Sequence, residues 1–275
     1  MGTQLVRLIS WNVRGRRDLQ AHLTLIGERN PDVVALQELN PNPKHEELLN
    51  RMGLQHVKST VGIAERHRRR FRRYAVLIAS KWPLRMAQPG WESYVPWPER
   101  VLSVVVRAEG LGEFELHTAH IPCGASHWWI KIGTFKGIFR RLACTAKRPR
   151  ILCGDFNTPQ EETPGGLVIT WGQYRKPNGD FEFHRGGGDR WDDGERSILT
   201  GLARYNLADV YRSLYGYKAR DWSWQDVKEH GVHRRFDHVF ASSSMNPQRL
   251  EYLGRGVVPR LSDHKAVEVE FRPKF

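Results

Sequence analysis

The chain has few cysteines, a deficit of acidic charge and no long apolar run. Its three cysteines, Cys123, Cys144 and Cys153, are odd in number and dispersed, a pattern that indicates a reducing compartment and argues against a disulfide framework or a zinc site. No apolar run approaches the roughly 20 residues that a membrane-spanning helix requires. Residues 5–11 do not resemble a signal peptide either. We therefore expect a monomeric, cytoplasmic protein without a membrane span.

The shortage of acidic residues leaves a large positive charge, and this charge is concentrated. There are 43 Lys and Arg against 30 Asp and Glu, a net charge of +13. Residues 65–73 contribute +5 and residues 125–150 contribute +7. Such localised charge is typical of proteins that bind polyanions, although a basic surface that serves only solubility is the alternative. The candidate contacts in the two stretches are Arg68, Arg69, Arg70, Lys131 and Arg140.

The first forty residues predict a strand, a helix and a second strand. Residues 5–13 form the first strand, and the helix begins at Asp18 and ends before Pro31, with apolar residues on one face. Residues 32–38 form a short, buried strand. Because two strands joined by a helix are usually parallel, Asn12 and Glu38 should lie at the same edge of one sheet.

The rest of the chain predicts further strands and helices without a repeat, linker or change in composition. We therefore expect a single mixed α/β domain over residues 1–275. Residues 81–99 and 158–194 read as irregular, and Trp171 and Trp191 in the second of these are candidates for stacking surfaces. The predicted helix over 126–145 buries Trp128 and exposes its Lys and Arg residues. Further strands are predicted at 74–80, 101–107, 114–121, 221–225, 235–241, 250–257 and 265–271, and further helices at 41–54, 197–205 and 207–214.

Polar residues stand at the ends of several predicted strands, where a plain sheet does not need them. The clearest case is Gly154-Asp155-Phe156-Asn157, which follows the apolar run Ile151-Leu152-Cys153. Asp155 and Asn157 are two positions apart and face the same way in an extended chain. An Asx-type turn that closes the strand is the alternative. The other strand-end sets are Asn12, Glu38, His120, Asp237-His238 and Ser262-Asp263-His264.

Taken in order, these sets resemble the motifs of the endonuclease/exonuclease/phosphatase superfamily. That group includes pancreatic deoxyribonuclease, exonuclease-III-type abasic-site endonucleases, neutral sphingomyelinases and inositol polyphosphate 5-phosphatases. The resemblance covers essentially the whole chain. It implies a four-layer α/β/β/α sandwich of two facing mixed sheets and Mg²⁺-dependent hydrolysis of phosphoesters, with Mn²⁺ as a substitute ion. The matching segments are Ser10-Trp11-Asn12-Val13, Leu36-Gln37-Glu38-Leu39, Gly154-Asp155-Phe156-Asn157, Phe236-Asp237-His238-Val239 and Ser262-Asp263-His264.

The resemblance also implies roles for the strand-end residues. Glu38 would hold the metal with Asp263 as a second ligand, which agrees with the preference of Mg²⁺ for oxygen ligands. Asp155 would orient or deprotonate the attacking water, and Asn157 and Asn12 would hold the phosphate or Asp155. His264 would stabilise phosphoryl charge and Asp237 would pair with it.

His120 distinguishes branches of the superfamily. Abasic-site endonucleases carry Tyr at this position, whereas deoxyribonuclease-like and sphingomyelinase-like members carry His. The resemblance therefore makes His120 a candidate general acid for the leaving oxygen. His117 lies on the opposite face of its strand and is expected to be structural, and His238 has no assigned role.

Three functions remain open on these observations. The leading one is a nuclease that hydrolyses DNA or RNA, because the site is accompanied by concentrated positive charge. A phosphodiesterase or phosphatase of a phospholipid headgroup, an inositol phosphate or another small phosphoester would use the same chemistry. A non-catalytic module that binds nucleic acid belongs to another class, and the complete set of acids, amides and histidines argues against it.

Overall fold

Two six-stranded mixed sheets form the centre of the fold. The structure is a computed structural model and describes residues 5–16, 18–40, 42, 44–66, 74–226, 231–254 and 261–274. In spatial order the first sheet contains β17 (Pro247–Tyr252), β18 (Val267–Phe271), β1 (Val6–Asn12), β2 (Val33–Leu39), β4 (Ala75–Ser80) and β3 (His56–Ser59). The second contains β13 (Ala208–Asp209), β16 (Asp237–Ala241), β8 (Arg150–Asp155), β7 (Gly112–His120), β6 (Val101–Ala108) and β5 (Leu84–Met86).

Helices and short ribbons surround the two sheets. The helices are α1 (Gln20–Glu28), α2 (Lys44–Arg51), α3 (Val61–Arg66), α4 (Gly124–His127), α5 (Trp129–Leu142), α6 (Gly188–Leu199) and α7 (Val210–Tyr215). The ribbons pair β9 (Glu161–Glu162) with β10 (Val168–Ile169), β11 (Gln173–Arg175) with β12 (Phe181–Phe183), and β14 (Trp224–Gln225) with β15 (His233–Arg234). None of the helices in the described part of the chain is long and apolar enough to cross a membrane.

Three apolar clusters separate the layers. The central cluster joins the facing sides of the two sheets, with Ile78 and Leu116 among its members. A second cluster packs α1 against the outer side of the first sheet through Leu23 and Ile26. A third packs α5 against the outer side of the second sheet through Phe135. Since each sheet is apolar on both faces, helices must cover the outer ones, and the α/β/β/α sandwich is confirmed.

The predicted strand–helix–strand unit is present at the start of the chain. β1 and β2 are parallel, and Asn12 lies beside Gln37 in the register. The Asp18 carboxylate accepts a hydrogen bond of 2.9 Å from the Gln20 amide at the start of α1. Asn12 and Glu38 therefore do reach the same edge of the first sheet.

The region predicted as a long loop contains a helix. α6 begins at Gly188, within the segment that we expected to be irregular, and a 3-10 turn follows over Gly201–Tyr205. Glycine and aspartate lower the helix propensity of this segment, so packing decides its conformation. The absence of a side chain at Gly194 lets α5 approach closely, because a Cβ there would lie 2.8 Å from Ile132 Cγ2.

The predicted amphipathic helix over 126–145 is correct in its apolar stripe and wrong at two positions. Ile132, Phe135 and Ile138 are buried, as expected. Trp128, however, separates α4 from α5 and is 70% exposed, whereas Lys131 is 1% exposed. Lys131 Nζ lies 2.6 Å from Glu195 Oε1, so a buried ion pair replaces the exposed charge that we predicted.

Much of the basic stretch at 125–150 is used inside the molecule. Arg150 donates a hydrogen bond of 2.8 Å to the carbonyl of Leu142, and Arg148 pairs with Glu113 at 2.8 Å. Arg140 is exposed and donates to the Tyr94 carbonyl at 3.0 Å. Of the two candidate contacts in this stretch, Arg140 is exposed and Lys131 is buried. The predicted contacts Arg68, Arg69 and Arg70 lie outside the described residues.

Candidate active site

The strand-end residues of both sheets meet at one edge of the sandwich. In the second sheet, Asp155 at the end of β8 is flanked by His120 on β7 and Asp237 on β16. In the first sheet, Asn12 and Glu38 lie at the ends of β1 and β2, and His264 lies shortly before β18. Because β1 and β2 run parallel while β18 runs antiparallel to β1, all three positions fall on the same edge. Residues from six separate segments thus converge.

A glycine allows the second sheet to place Asp155. Gly154 has φ of +133°, a value that residues with a Cβ rarely adopt, and a Cβ there would lie 2.0 Å from the Ala119 carbonyl oxygen. β7 and β8 can therefore approach closely next to the carboxylate. Asp155 itself is buried.

Two amides and one backbone group hold the Asp155 carboxylate. Asn12 Nδ2 donates to Asp155 Oδ2 at 2.8 Å and Asn157 Nδ2 donates to the same oxygen at 3.2 Å. The Asn157 amide nitrogen donates to Asp155 Oδ1 at 2.9 Å. Burial raises the pKa of Asp155 to about 7; the positive charge of His264 opposes this shift and Asp237 adds to it. A carboxyl group with this pKa can accept a proton near neutral pH.

His264 and Asp237 form a buried pair beside Asp155. The two atoms His264 Nδ1 and Asp237 Oδ2 are 2.7 Å apart, and His264 Nε2 lies 3.8 Å from Asp155 Oδ2. Burial disfavours the charged ring, but the attraction of Asp237 and Asp155 outweighs it and raises the pKa of His264 to about 10. His264 is therefore a cation at neutral pH. This is the pairing that the resemblance to the superfamily implied.

Several hydrogen bonds hold this pair in place. The Ser223 hydroxyl accepts from the Asp237 amide at 2.9 Å, and the Tyr252 hydroxyl donates to the Asp237 carbonyl at 3.1 Å. The Trp11 indole donates to the His264 carbonyl at 2.9 Å. Asp237 Oδ1 is buried without a hydrogen-bond partner among the described residues, so this oxygen retains the capacity to accept one.

His120 reaches the site with an arginine behind it. Arg100 Nη1 lies 2.7 Å from His120 Nδ1 and 3.2 Å from Nε2. Because a guanidinium can only donate, the shorter contact assigns the acceptor to Nδ1 and the ring proton to Nε2. Burial and the charge of Arg100 lower the pKa of His120 well below 6.5. A neutral ring fits the predicted role of general acid poorly. It can still donate a hydrogen bond from Nε2, which lies 3.3 Å from Glu38 Oε1.

Glu38 has a backbone conformation that is unusual for its residue type. Its φ is +53°, and the pairing of β2 with β4 shifts register between Leu36 and Leu39. A bulge of this kind redirects a side chain at a strand end, and residues held in such conformations cluster at functional sites. Here it brings the carboxylate within 3.2 Å of Asn12 Nδ2.

The donor set fits a divalent cation. Ligand atoms of Glu38, His120 and Asp155 lie within 4.8 Å of one another, as do those of Asp155, Asp237 and His264. Carboxylate oxygens are the preferred protein ligands of Mg²⁺ and of similar hard ions. The two groups share Asp155, so a cation bound between Glu38 and Asp155 would balance charge that His264 alone does not.

Asp263, the second predicted ligand, belongs to neither group. Its carboxylate lies 3.4 Å from Arg14 Nε in an ion pair at the rim of the site. The ion pair with Arg14 competes with coordination of a metal by this carboxylate. Its neighbour Ser262 donates to the Asn12 carbonyl at 2.8 Å, which ties this segment to β1.

A buried network supports Asn157 from the second sheet's outer side. Lys131 Nζ and Trp171 Nε1 donate to the Asn157 carbonyl at 2.9 and 3.0 Å. Glu195 lies behind Lys131 and accepts from Trp191 Nε1 at 2.8 Å. Asn157 has φ of +52°, a left-handed conformation that asparagine adopts more readily than most residues, and the two donors fix the position of its carbonyl. Lys131 is therefore near the site, but as part of its support rather than as a free charge.

Sequence reasoning missed Arg100 and Glu195. Arg100 follows a region of proline and tryptophan that reads as irregular, and Glu195 stands in the segment that reads as loop. Neither has a local signal, because each acts on a residue that is distant along the chain. The one signal in the sequence was Lys131, which stands next to the apolar stripe of its helix. A lysine buried there needs an acidic partner, and that partner is Glu195.

Three solved structures resemble this chain in fold. An AP endonuclease from Archaeoglobus fulgidus has a TM-score of 0.67 and 19% identity, with 97% of this chain and 99% of that chain covered. A humanized D. rerio TDP2 with 14 mutations has a TM-score of 0.64 and 16% identity, covering 97% and 98%. An endonuclease/exonuclease/phosphatase from Beutenbergia cavernae DSM 12333 has a TM-score of 0.60 and 20% identity, covering 98% and 72%.

A family model supplies the stronger comparison. A search of the curated proteins finds no match. The model of the Endonuclease/Exonuclease/phosphatase family, by contrast, matches residues 9–264, a range that begins in β1 and ends at His264. With the fold, the strand-end residues and this match in agreement, the chain belongs to the Endonuclease/Exonuclease/phosphatase family.

Proposed function

We propose that this protein hydrolyses phosphodiester bonds of DNA with the help of Mg²⁺. Family membership makes phosphoester hydrolysis the expected class of activity. The observation that carries the proposal is the setting of Asp155, a buried carboxylate between two amide donors and the His264–Asp237 pair. Such a set positions a water and stabilises phosphoryl charge, which is most of what phosphoryl transfer requires of a protein.

Each residue has a role in this proposal. Asp155 takes the proton of the attacking water, and the amides of Asn12 and Asn157 keep its carboxylate oriented. The cationic ring of His264 donates from Nε2 to a phosphoryl oxygen, while Asp237 holds Nδ1. His120, as a neutral ring, donates a hydrogen bond from Nε2 to the leaving oxygen, and this oxygen takes its proton from solvent water as its bond to phosphorus breaks.

Glu38 is the proposed principal ligand of the metal, and ligand atoms of Asp155 and His120 lie within 4.8 Å of its carboxylate. When bound, Mg²⁺ supplies neutralisation of the charge that develops on the phosphoryl group. Glu38 Oε1 also accepts a hydrogen bond from Asn12 Nδ2. The same amide group donates to Asp155, so Asn12 links the proposed metal ligand to the proposed base. Asp263 remains a prediction as second ligand, since it is held by Arg14.

DNA is the proposed substrate because of charge near the site rather than the basic helix. The chain carries a net charge of +13. Arg14 stands at the rim next to Asp263, and Arg185 and Arg234 line a cavity that Asn157 also lines. Cations arranged in this way would contact phosphates on either side of the reacting one.

A substrate panel with Mg²⁺ tests the proposal. Single- and double-stranded DNA, an abasic duplex, RNA, inositol phosphates and sphingomyelin are incubated with the protein, and products are resolved by electrophoresis or chromatography. We expect cleavage of DNA that stops on addition of EDTA and resumes with excess Mg²⁺. Cleavage of only inositol phosphates or sphingomyelin would assign the site to small phosphoesters or lipid headgroups instead. Cleavage of RNA alone would show that the candidate active site acts on RNA and not on DNA.

A further inference from the structure

A cavity lined by aromatic rings opens directly beside the candidate active site. Its volume is about 590 Å³, and its lining includes Asn157, whose side chain contacts Asp155. Phe236, which also lines it, immediately precedes Asp237. We call it the tryptophan recess. Its aromatic walls are Trp128, Trp129, Trp171, Trp191, Trp224 and Phe236.

Trp128 at the mouth of the recess has a strained and exposed conformation. Its φ is +45° and its ψ is −129°, which a bulky residue with a Cβ adopts only at a free-energy cost. Its side chain is 70% exposed, so burial of the indole does not offset this cost. Because packing does not compensate for this strain, we infer that the exposed ring of Trp128 has a function.

The indoles deeper in the recess are held rigidly. Trp171 Nε1 donates to the Asn157 carbonyl at 3.0 Å, and Trp191 Nε1 donates to Glu195 at 2.8 Å. Gly124 leaves room for the Trp191 ring, because a Cβ there would lie 2.7 Å from Cζ2. With their polar atoms satisfied within the protein, these side chains present apolar surface to the recess. A wall that is already ordered loses little conformational entropy when it binds a ring.

Cations accompany the aromatic walls. The Arg234 guanidinium lies 5.0 Å from the centre of the Trp171 ring, and Arg190 lies 5.2 Å from that of Trp129. Arg185 lines the cavity as well. A base attached to a phosphate backbone is matched by both features, because its flat ring stacks on aromatic side chains and its phosphates bind guanidinium groups.

We propose that the tryptophan recess binds one unpaired nucleobase of the strand whose phosphodiester lies at Asp155, with Trp128 as the outer stacking surface. This inference rests on the proposed phosphodiester hydrolysis and adds a substrate class, single-stranded or locally unpaired nucleic acid. A base in the recess would place its own backbone next to Asn157, beside the reacting phosphate. Stacking would then contribute to affinity without selecting strongly among the four bases.

The strain at Trp128 permits a test that separates binding from folding. Trp128→Gly removes the ring and relieves the positive φ, so it should keep or raise the melting temperature while weakening nucleic-acid binding. Trp128→Phe keeps a ring at the same site and should restore most of the binding. Phe183→Ala is the matched control, since Phe183 is 49% exposed on a neighbouring ribbon and does not line the recess.

Binding is measured by tryptophan fluorescence in EDTA, so that it does not depend on turnover. The ligands are an oligothymidylate strand and a strand of equal length that lacks its central bases. For the wild-type protein and Phe183→Ala we expect the base-containing strand to quench fluorescence and to bind about tenfold more tightly than the base-free strand. In Trp128→Gly this difference should largely disappear.

The outcomes distinguish the inference from the proposed function. If the wild-type protein binds both strands equally, or if Trp128→Gly retains the preference for bases, the recess does not hold a nucleobase. Quenching by short-chain phospholipid micelles in place of the oligonucleotide would also overturn it, in favour of an acyl chain. The proposed function fails separately, if the wild-type protein with Mg²⁺ hydrolyses neither strand although the binding preference is observed.

Discussion

Two groups of carboxylates near the start of β16 have opposite electrostatic character. In the candidate active site, Asp155 and Asp237 flank the cationic ring of His264, and Glu38 lies near Asp155 and His120. In what we call the arginine-paired cluster, Glu162 and Asp209 bind Arg235 with oxygen–nitrogen distances of 2.8 Å, and Glu162 also binds Arg212 at 2.7 Å. Burial and neighbouring acids raise the pKa of Asp155 to about 7. Although burial opposes ionisation of Glu162 too, Arg235 and Arg212 lower its pKa to about 2.

The difference lies in the balance of charge rather than in burial. The charges of two arginines balance those of two acids in the arginine-paired cluster. The cluster therefore stabilises the packing of β9 and β13 against the segment that leads into β16. The candidate active site holds three carboxylates, those of Glu38, Asp155 and Asp237, against two cations, the His264 ring and the Arg100 guanidinium. The unbalanced carboxylate costs stability unless a cation or substrate completes the site. Alternation along β16 separates the two: Asp237 faces His264, whereas His238 lies 3.3 Å from Asp209.

The largest expected effect is the loss of activity in Asp155→Asn. Removing the proposed base should lower kcat/KM for DNA by about 10³-fold or more, with the melting temperature unchanged or raised because a buried unbalanced charge is gone. Steady-state kinetics and thermal unfolding measure the two quantities. Substantial residual hydrolysis would contradict the assignment of Asp155. The matched variant Asp209→Asn should show the reverse pattern, with lower stability and a smaller change in kcat/KM.

Removal of Arg235, which contacts both acids of the arginine-paired cluster, should destabilise the protein. Arg235→Met leaves Glu162 and Asp209 with fewer partners, and the loss of one member of a buried pair typically costs about 3–5 kcal/mol. We expect a decrease of this size in the free energy of unfolding by urea. Arg51→Met is the control, because its pair with Glu47 is exposed and should contribute less than about 1 kcal/mol. Equal decreases in both variants would show that burial of the pair has no special importance.

Acid should affect the two groups in opposite directions. The pKa of Glu162 falls from 4.5 to about 2 on folding, so its stabilisation is complete above about pH 4.5 and is lost as pH falls towards 2. The shift in the pKa of Glu162 corresponds to a contribution of about 3 kcal/mol to the free energy of unfolding. The pKa of Asp155 is raised, so folding is favoured at this residue as pH falls from about 7 to 4. Unfolding free energies of the wild-type protein, Glu162→Gln and Asp155→Asn across pH 3–8 should separate the two slopes; superimposable profiles would refute both.

Addition of Mg²⁺ should stabilise the candidate active site and leave the other cluster unaffected. At a concentration 100 times its dissociation constant, a ligand specific for the folded state stabilises it by about 2.7 kcal/mol. We expect a higher melting temperature with Mg²⁺ for the wild-type protein and a much smaller shift for Glu38→Gln. Glu115→Gln serves as the control, since Glu115 lies on β7 near His117 and away from the site. An equal shift in all three proteins would mean that the ion binds elsewhere.

The sequence predicted the strand-end residues well because their placement follows local rules. Asn12, Glu38, Asp155 and His264 each stand next to an apolar strand, and the parallel pairing of β1 and β2 follows from the helix between them. Predictions for Lys131 and for α6 failed, since these depend on contacts between distant segments. Arg100 escaped notice for the same reason, as His120 lies 20 positions away.

By itself, then, the sequence determined the family, the order of the strands that carry the site and the polar residues at their ends. Only the tertiary structure decided which charges are paired: Arg235 finds Glu162 across 73 positions of chain, and Lys131 is buried against Glu195. It also decided which tryptophans are exposed beside Asn157. The physical reason is the distance along the chain over which the interacting residues are separated. Alternation in a strand is a property of neighbouring residues, whereas the pairing and burial of a charge depend on whichever distant segment packs against it.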